Sequence, residues 1–332
     1  MDATRRDALG MVGAAAAGVA FAGSALAQGA ARNLGSKSKT LFWVASCTPC
    51  DKNLKFDPAA FKDVLGWFQH NGADGVVVLG TTGEYPSFSM AERKAVMEVA
   101  GKNKGGMNII CSSGTSNFPE TIELSKHAAD HGADGLLVIP PFYYKNPPLA
   151  GLIRYYSLLF DAVPQSLAVN LYHIPSLSAV PISHELLKAL KHYPNLAGIK
   201  DSEEDLPQFK QFVAAFPDLN MRSGTDTKLE FALSKGMGAI LAEGNLFCRQ
   251  IADMFAAFRA GKDSHAAFMK FQTQQALMRK LGGEIDSYGP MKYALSQQMG
   301  VPQFYQRPPN LDVTDAQKAA IRKGLAQIKE MG

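Results

Sequence analysis

Little in this sequence points to nucleic acid, to a membrane in the mature protein or to a bound cofactor. No stripe of lysine and arginine interleaves with aromatics, and the net charge is a modest +4. Nucleic acid is therefore not an expected partner. Beyond residue 30 no apolar run is long enough to cross a bilayer. No strand runs into a Gly-rich dinucleotide fingerprint. No clustered histidines and no second C-x-x-C accompany the C-x-x-C to complete a zinc site. Neither cofactor nor metal is expected. Cysteine is scarce: Cys47, Cys50, Cys111 and Cys248 are all there are. Cys47 and Cys50 form C-T-P-C, a spacing shared by redox motifs and half zinc sites, and in an oxidising compartment they could pair. The flanking L-F-W-V-A-S reads as a strand, not as the start of a redox helix.

What is present begins with T-R-R-D-A-L-G at Thr4, followed by an Ala/Gly-rich apolar run ending in Ala25-Leu26-Ala27. Adjacent arginines, a weakly apolar run and an A-x-A end predict a twin-arginine-type export signal over residues 1–27, cleaved after Ala27. A linker over 28–39 and a periplasmic or secreted address follow. Ala8 and Gly10 stand where a large apolar residue and a lysine are usual, so an unstructured or membrane-anchoring N-terminus is the alternative.

The rest of the chain repeats itself. H-N-G-A-D-G-V-V-V-L-G begins at His70 and D-H-G-A-D-G-L-L-V-I-P at Asp130, with a looser copy, K-G-M-G-A-I-L-A-E-G, from Lys235. Each joins a glycine-capped helix end to a short apolar strand, and the first two copies lie two βα units apart. Further apolar runs occupy 41–46, 107–114, 166–173, 195–200 and 219–224. Helical spacing fills Pro58–Asn71, Ser89–Gly101, Pro119–His131 and His184–His192, the second opening on a Ser89–Glu92 capping box. Eight strands without a polar face, alternating with helices, predict a closed (β/α)8 barrel over 40–248. Three or more helices over 249–332 have no strands to pair with.

In such a barrel, chemistry sits at the C-terminal strand ends. These ends read Gly80-Thr81-Thr82-Gly83-Glu84, Pro140 to Tyr144, Tyr172-His173-Ile174-Pro175, Lys200-Asp201, Ser223 to Asp226 and Ala242-Glu243-Gly244-Asn245. A lysine closing an apolar strand can snorkel to water, but it can also be a desolvated amine that attacks a carbonyl. An imine on Lys200 would act as an electron sink. A tyrosine can shuttle protons, and threonine hydroxyls with the backbone N–H groups of a G-T-T-G turn can hold a carboxylate. Taken together these groups favour the Schiff-base reading.

G-T-T-G-E, Y-H-I-P-S-L-S-A-V and G-I-K-D-S-E-E-D resemble the signature segments of the pyruvate-dependent class I aldolase family. Its members include dihydrodipicolinate synthase, N-acetylneuraminate lyase and 2-keto-3-deoxygluconate aldolase. The resemblance covers residues 40 to about 325. It implies a catalytic set of Lys200 as the imine lysine, Tyr172 as the proton shuttle, Thr81 as a relay and Tyr143 as a tyrosine given across a subunit interface. The extra residue in F-Y-Y-K-N-P-P leaves Tyr144 open for that last role. The carboxylate would be bound by Thr81 and Thr82 beside Gly80. No external cofactor or metal is implied, and the oligomer is a dimer of dimers.

Departures from the family narrow the substrate. Leu177 stands where the synthase has an arginine that grips a second carboxylate, which an apolar side chain cannot do. Asp226-Thr227 after Gly224 and Ala242 replace polyol-binding positions of the lyase. His173 replaces an asparagine, and Glu243 adds a carboxylate near the mouth. G-I-K-D-S-E-E-D-L and the late Arg307-Pro308-Pro309 are most similar to the ketodeoxygluconate aldolases. The expected activity is cleavage or formation of a C–C bond between pyruvate and an aldehyde, with a 2-keto-3-deoxy sugar acid-like substrate. The alternatives are a hydratase or dehydratase using the same lysine, dihydrodipicolinate synthase, which Leu177 disfavours, and a non-catalytic keto-acid binder.

Overall fold

The structure is a computed structural model and describes residues 40–281 and 288–331. The segments read as an export signal, 1–27, and a linker, 28–39, lie outside the described residues. Strand β1 (Phe42–Ala45) is followed by α1 (Pro58–His70), β2 (Gly75–Val78), α2 (Met90–Lys102), β3 (Asn108–Ser112), α3 (Phe118–Asp130), β4 (Gly135–Val138) and α4 (Leu149–Ala162). The second half comprises β5 (Ala168–His173), the single turn α5 (Pro175–Ser178), α6 (His184–Leu190), β6 (Leu196–Asp201), α7 (Leu206–Ala215), β7 (Asn220–Ser223), α8 (Leu229–Ser234) and β8 (Ala239–Leu241). Helices α9 (Gly244–Arg259), α10 (His265–Lys280), α11 (Tyr288–Met299) and α12 (Asp315–Glu330) complete the chain.

All eight strands pair in parallel in sequence order, and β1 closes on β8 with Trp43 opposite Ile240. This is the expected (β/α)8 barrel with additional C-terminal helices. Both faces of each strand are buried because alternate residues feed two different cores. Trp43, Ala45, Val77, Ile110, Leu137, Ala197 and Ile240 fill the bore, while Phe42, Val44, Val76, Val78 and Leu136 meet the surrounding helices. The helices begin where their caps place them. Asp57 accepts from Ala60 N–H, Asn117 from Glu120 N–H and Asp205 from Gln208 N–H, each followed by a proline in the first turn. Ser89 and Glu92 close the expected capping box. Each cap contributes about 1 kcal/mol.

The repeated G-A-D-G has a structural cause. Gly72 and Gly132 take positive φ, near +86° and +85°, and turn the chain out of α1 and α3. The aspartate of each copy then accepts an N–H at the start of a neighbouring strand: Asp74 from Phe42 and Asp134 from Ile109, both at 2.8 Å. The last glycine has no room for a side chain, since a Cβ on Gly135 would lie 2.6 Å from the Ala168 carbonyl oxygen. The looser third copy keeps the left-handed glycine, Gly236, but lacks the aspartate, and Asn220 accepts the Gly238 N–H instead.

The structure refines two readings of the sequence. Helix α9 starts at Gly244 directly after β8, so the barrel's eighth helix straddles the boundary placed at residue 248. Cys47 and Cys50 do not pair; all four cysteines are free and buried. Burial pushes the Cys47 thiol up to about 12, against the opposing pull of Lys292, so it is no reactive thiolate. Among the described residues no helix is long and apolar enough to cross a membrane.

Candidate active site

Register in the barrel sheet places the central pair. Tyr172 of β5 is the partner of Lys200 of β6, and Lys200 is in turn the partner of Arg222 of β7. Tyr172 points into the bore among its apolar lining. Lys200 Nζ lies 3.4 Å from Tyr172 Oη and 4.6 Å from the centre of its ring. Thr81 Oγ1 lies 3.3 Å from the same phenol oxygen. Three functional groups from β2, β5 and β6 thus form one chain, Lys200–Tyr172–Thr81, and both Lys200 and Tyr172 are buried. Burial alone would raise the Tyr172 phenol. The Lys200 ammonium, together with hydrogen bonds from Thr81, Ser202 and Lys200, outweighs it and brings the phenol below 10.0. A phenol held between an amine and a hydroxyl can pass a proton to either side.

The Gly80–Glu84 turn is held from several sides. Thr48 Oγ1 donates to the Gly83 carbonyl at 2.9 Å, and a Cβ on Gly83 would lie 2.9 Å from the Leu79 nitrogen. Glu84 takes the left-handed conformation at φ 55°, a cost of about 1–2 kcal/mol for a residue with a Cβ. Its carboxylate is fully buried against Lys292 of α11 at 2.5 Å, and Asn310 donates to its other oxygen at 3.2 Å. Lys292 also donates to the Tyr305 carbonyl. The C-terminal helices therefore fix the turn that carries Thr81 and Thr82. On the opposite side, Asp201 pairs with buried Lys228 at 3.0 Å, and Lys228 also donates to the Asp201 and Glu203 carbonyls. That network holds the end of β6 behind the Lys200 side chain.

The remaining expected residues divide. Gly224 is required by space: a Cβ there would lie 2.2 Å from Ser202 Oγ and 2.8 Å from the Asp201 carbonyl. Asp226 is buried and accepts from Gln272 of α10 at 3.1 Å. Ala242 packs against the outer apolar core, and Glu243, half-buried, opens α9 with its carbonyl accepting from Leu246 and Phe247. Leu177 sits on α5 and is 58% exposed. Tyr143 and Tyr144 are 74% and 69% exposed and pack edge-on against each other, outside the Lys200–Tyr172–Thr81 chain.

His173 is structural. As the neighbour of an inward residue it points out of the bore. Its Nδ1 accepts from Ile182 N–H, so Nε2 carries the proton and donates to Gln208 at 3.0 Å. Burial holds it below its ordinary 6.5, against the pull of Asp201. The unfolded chain then binds more protons than the folded one just below pH 6.5. Stability from this site is complete above that pH and is lost as pH falls through the window beneath it. Urea titrations between pH 7.5 and 5 should show this loss, and His173→Asn, which cannot take the proton, should flatten it. An unchanged slope in the variant would assign the loss elsewhere.

Two features had not been expected from the sequence. Ser112, at the end of β3, has a buried hydroxyl with no partner, and it lines a small pocket with Gly80, Thr81, Gly114 and Tyr172. Its signal in the sequence was only its place at a strand end. Arg222 lies fully buried in the bore, stacked on Trp43 at 4.8 Å and hydrogen-bonded to Asn170. Burial lowers its guanidinium to about 9. An arginine in mid-strand was the available sign, but nothing in the sequence made it the strand partner of Lys200.

Comparison with known proteins agrees with this fold. The model of the dihydrodipicolinate synthetase family matches residues 39–328. An uncharacterized DapA-like lyase of Chloroflexus aurantiacus is 35% identical over 267 residues, 80% of this chain and 88% of that protein. A 4-hydroxy-tetrahydrodipicolinate synthase of Agrobacterium fabrum is 35% identical over 289 residues, 85% and 95% of the two chains. Among solved structures, YagE, a prophage protein of the dihydrodipicolinic acid synthase family from E. coli K12 in complex with pyruvate, is 27% identical. It superposes with a TM-score of 0.78 over 87% of this chain and 98% of its own. The sialic acid aldolase of Ruminococcus gnavus, 23% identical, shares the fold with a TM-score of 0.80 over 89% and 98%. A closed eight-strand barrel, a lysine and a tyrosine in register at its mouth and a family match along nearly the whole described chain lead to one assignment: the protein belongs to the dihydrodipicolinate synthetase family.

Proposed function

We propose that the protein is a class I pyruvate-dependent lyase or aldolase that acts through an imine on Lys200. The observation that carries this reading is the Lys200–Tyr172–Thr81 chain, with its 3.4 and 3.3 Å separations, next to a rigid carboxylate-sized turn. The substrate is a 2-keto acid with a 4-hydroxyl, of the 2-keto-3-deoxy sugar acid type. Its carboxylate lies against Thr81, Thr82 and the backbone N–H groups of the turn. Ser112 offers a further hydroxyl beside Gly80.

In cleavage, the neutral Lys200 amine adds to the keto carbon, the Tyr172 phenol gives its proton to the departing hydroxyl, and water leaves, so that a protonated imine stands beside a phenolate. Tyr172 accepts the 4-hydroxyl proton as the C3–C4 bond breaks. The aldehyde departs and the bonding electrons pass to the imine nitrogen as an enamine. Protonation at C3 and hydrolysis release pyruvate and restore the amine. Thr81, hydrogen-bonded to the phenol, links it to the substrate carboxylate. Leu177 at the mouth brings no charge, which supports an uncharged aldehyde half over one with a second carboxylate. The exposed Tyr143–Tyr144 pair supports assembly as a dimer of dimers in which one of these rings completes a neighbour's site. The arginine pair and A-x-A end of residues 1–27 support twin-arginine export to the periplasm.

Borohydride reduction in the presence of pyruvate, followed by peptide mapping, tests the mechanism. A reduced pyruvyl adduct on the peptide carrying Lys200, absent in Lys200→Ala, is the expected result. A folded protein that gives no adduct removes the imine and leaves a keto-acid binder. Product analysis then separates a lyase, which releases pyruvate and an aldehyde, from a dehydratase, which does not.

A further inference from the structure

The helices outside the barrel carry a side-chain group that this chemistry does not use. Helices α2 and α3 pack side by side and are already joined by the Lys94–Glu123 pair at 2.5 Å. One turn further along, Glu98 of α2 faces His127 in the last turn of α3 and His131, which caps it. One ligand atom from each of the three residues lies within 4.8 Å of the others.

Three details distinguish this group from an ordinary surface ion pair. His127 Nε2 lies 3.0 Å from Glu98 Oε1, yet it is shielded from solvent and makes no hydrogen bond. The nitrogen and oxygen are close without being aimed at each other. Tetrahedral ligands on a zinc ion, with Zn–N about 2.0–2.1 Å and Zn–O about 2.0–2.2 Å, stand about 3.3–3.5 Å apart. The observed separation is a few tenths of an ångström shorter, within reach of a small rotation of the exposed Glu98 side chain. Second, His131 Nδ1 lies 2.8 Å from the His127 carbonyl. A carbonyl only accepts, so Nδ1 carries the hydrogen, and Nε2 is the ring's ligating atom. A backbone partner on the far nitrogen is the usual way a ligating histidine is oriented. Third, the two rings are stacked, with centroids 3.9 Å apart, so both imidazoles sit at one place on the helix surface.

We propose that Glu98, His127 and His131 form a Zn2+ site that clamps α2 to α3. Two imidazoles and one carboxylate suit a borderline divalent ion, whereas Mg2+ and Ca2+ require oxygen shells. Glu98 and His131 are exposed, so small side-chain rotations close the set and water completes the coordination. The site is separate from Lys200 and does not depend on the reading of the barrel mouth.

The test is calorimetric titration of ZnCl2 into the full-length, untagged protein after chelator treatment, with His131→Ala and Glu98→Gln alongside. Both substitutions remove exposed groups, and circular dichroism checks that each variant keeps its fold. The wild type should bind with low-micromolar or tighter affinity, unaffected by millimolar Mg2+. Each variant should bind at least about tenfold more weakly. Zn2+ should also raise the melting temperature of the wild type by several degrees and leave that of His131→Ala unchanged. Zn2+ affinity that is millimolar in the wild type, or equal in the wild type and His131→Ala, overturns the proposal.

Discussion

Tyr172→Phe is expected to lower kcat by about two to four orders of magnitude while Lys200 still forms its pyruvyl imine. The substitution keeps the ring over which Lys200 Nζ sits, 4.6 Å from its centre, and keeps the apolar contacts in the bore. It deletes one oxygen. That oxygen is the only atom in reach of both Lys200 Nζ and Thr81 Oγ1 among the contacts described above. Loss of the phenol therefore removes proton transfer to and from the 4-hydroxyl without removing the nucleophile. Single-turnover kinetics separate the two: imine trapping persists, and aldehyde release becomes the slow step. A variant that turns over at the wild-type rate would mean that the proton leaves by another group, and Thr81 and Ser112 would be the next to replace.

The second large effect lies far from Lys200 in sequence. Lys292→Met should cost about 3–5 kcal/mol of stability, the range for breaking a buried ion pair from one side. Lys292 and Glu84 are both shut away from water, and the methionine leaves the Glu84 carboxylate with the Asn310 amide as its remaining partner among the contacts described. Glu84 is also the residue held at φ 55°, so its release lets the turn relax. The Michaelis constant for the keto acid should rise because Thr81 and Thr82 move with the turn. Adding Glu84→Gln to Lys292→Met should recover much of the stability, since no unpaired charge remains, but not the binding. Urea unfolding and steady-state kinetics on the three variants measure both effects. Equal stability of Lys292→Met and wild type would show that the pair contributes nothing net, and the helical region would lose its assigned role in the site.

Much of this architecture could be read directly along the chain. Strand runs such as V-V-V and G-L-L-V are short, apolar and bounded by glycine, and a strand covered on both faces has to look like that. Caps such as Ser89 with Glu92 are local chemistry, closed within one helical turn. Lys200, Tyr172 and Thr81 were legible because strand ends of a parallel barrel converge on one mouth, so position along a strand already specifies position in space.

Only the tertiary structure decided what depends on contacts between distant segments. Lys292 reads as a surface lysine on a helix, and its partner Glu84 lies more than two hundred residues away in the chain. His173 stood next to Tyr172 in sequence, but strand alternation turned it to the opposite face and into a purely structural bond. Cys47 and Cys50 had the spacing of a redox motif, yet each is buried and free. Arg222 and Trp43 stack in the bore from strands at opposite ends of the barrel repeat. Glu98, His127 and His131 meet only because α2 and α3 lie side by side. The sequence by itself determined the barrel and the three residues at its mouth, because periodicity and strand register are properties of short segments. The partners that hold those residues in place were settled by packing, because burial and ion pairing are properties of groups that the chain brings together only once it has folded.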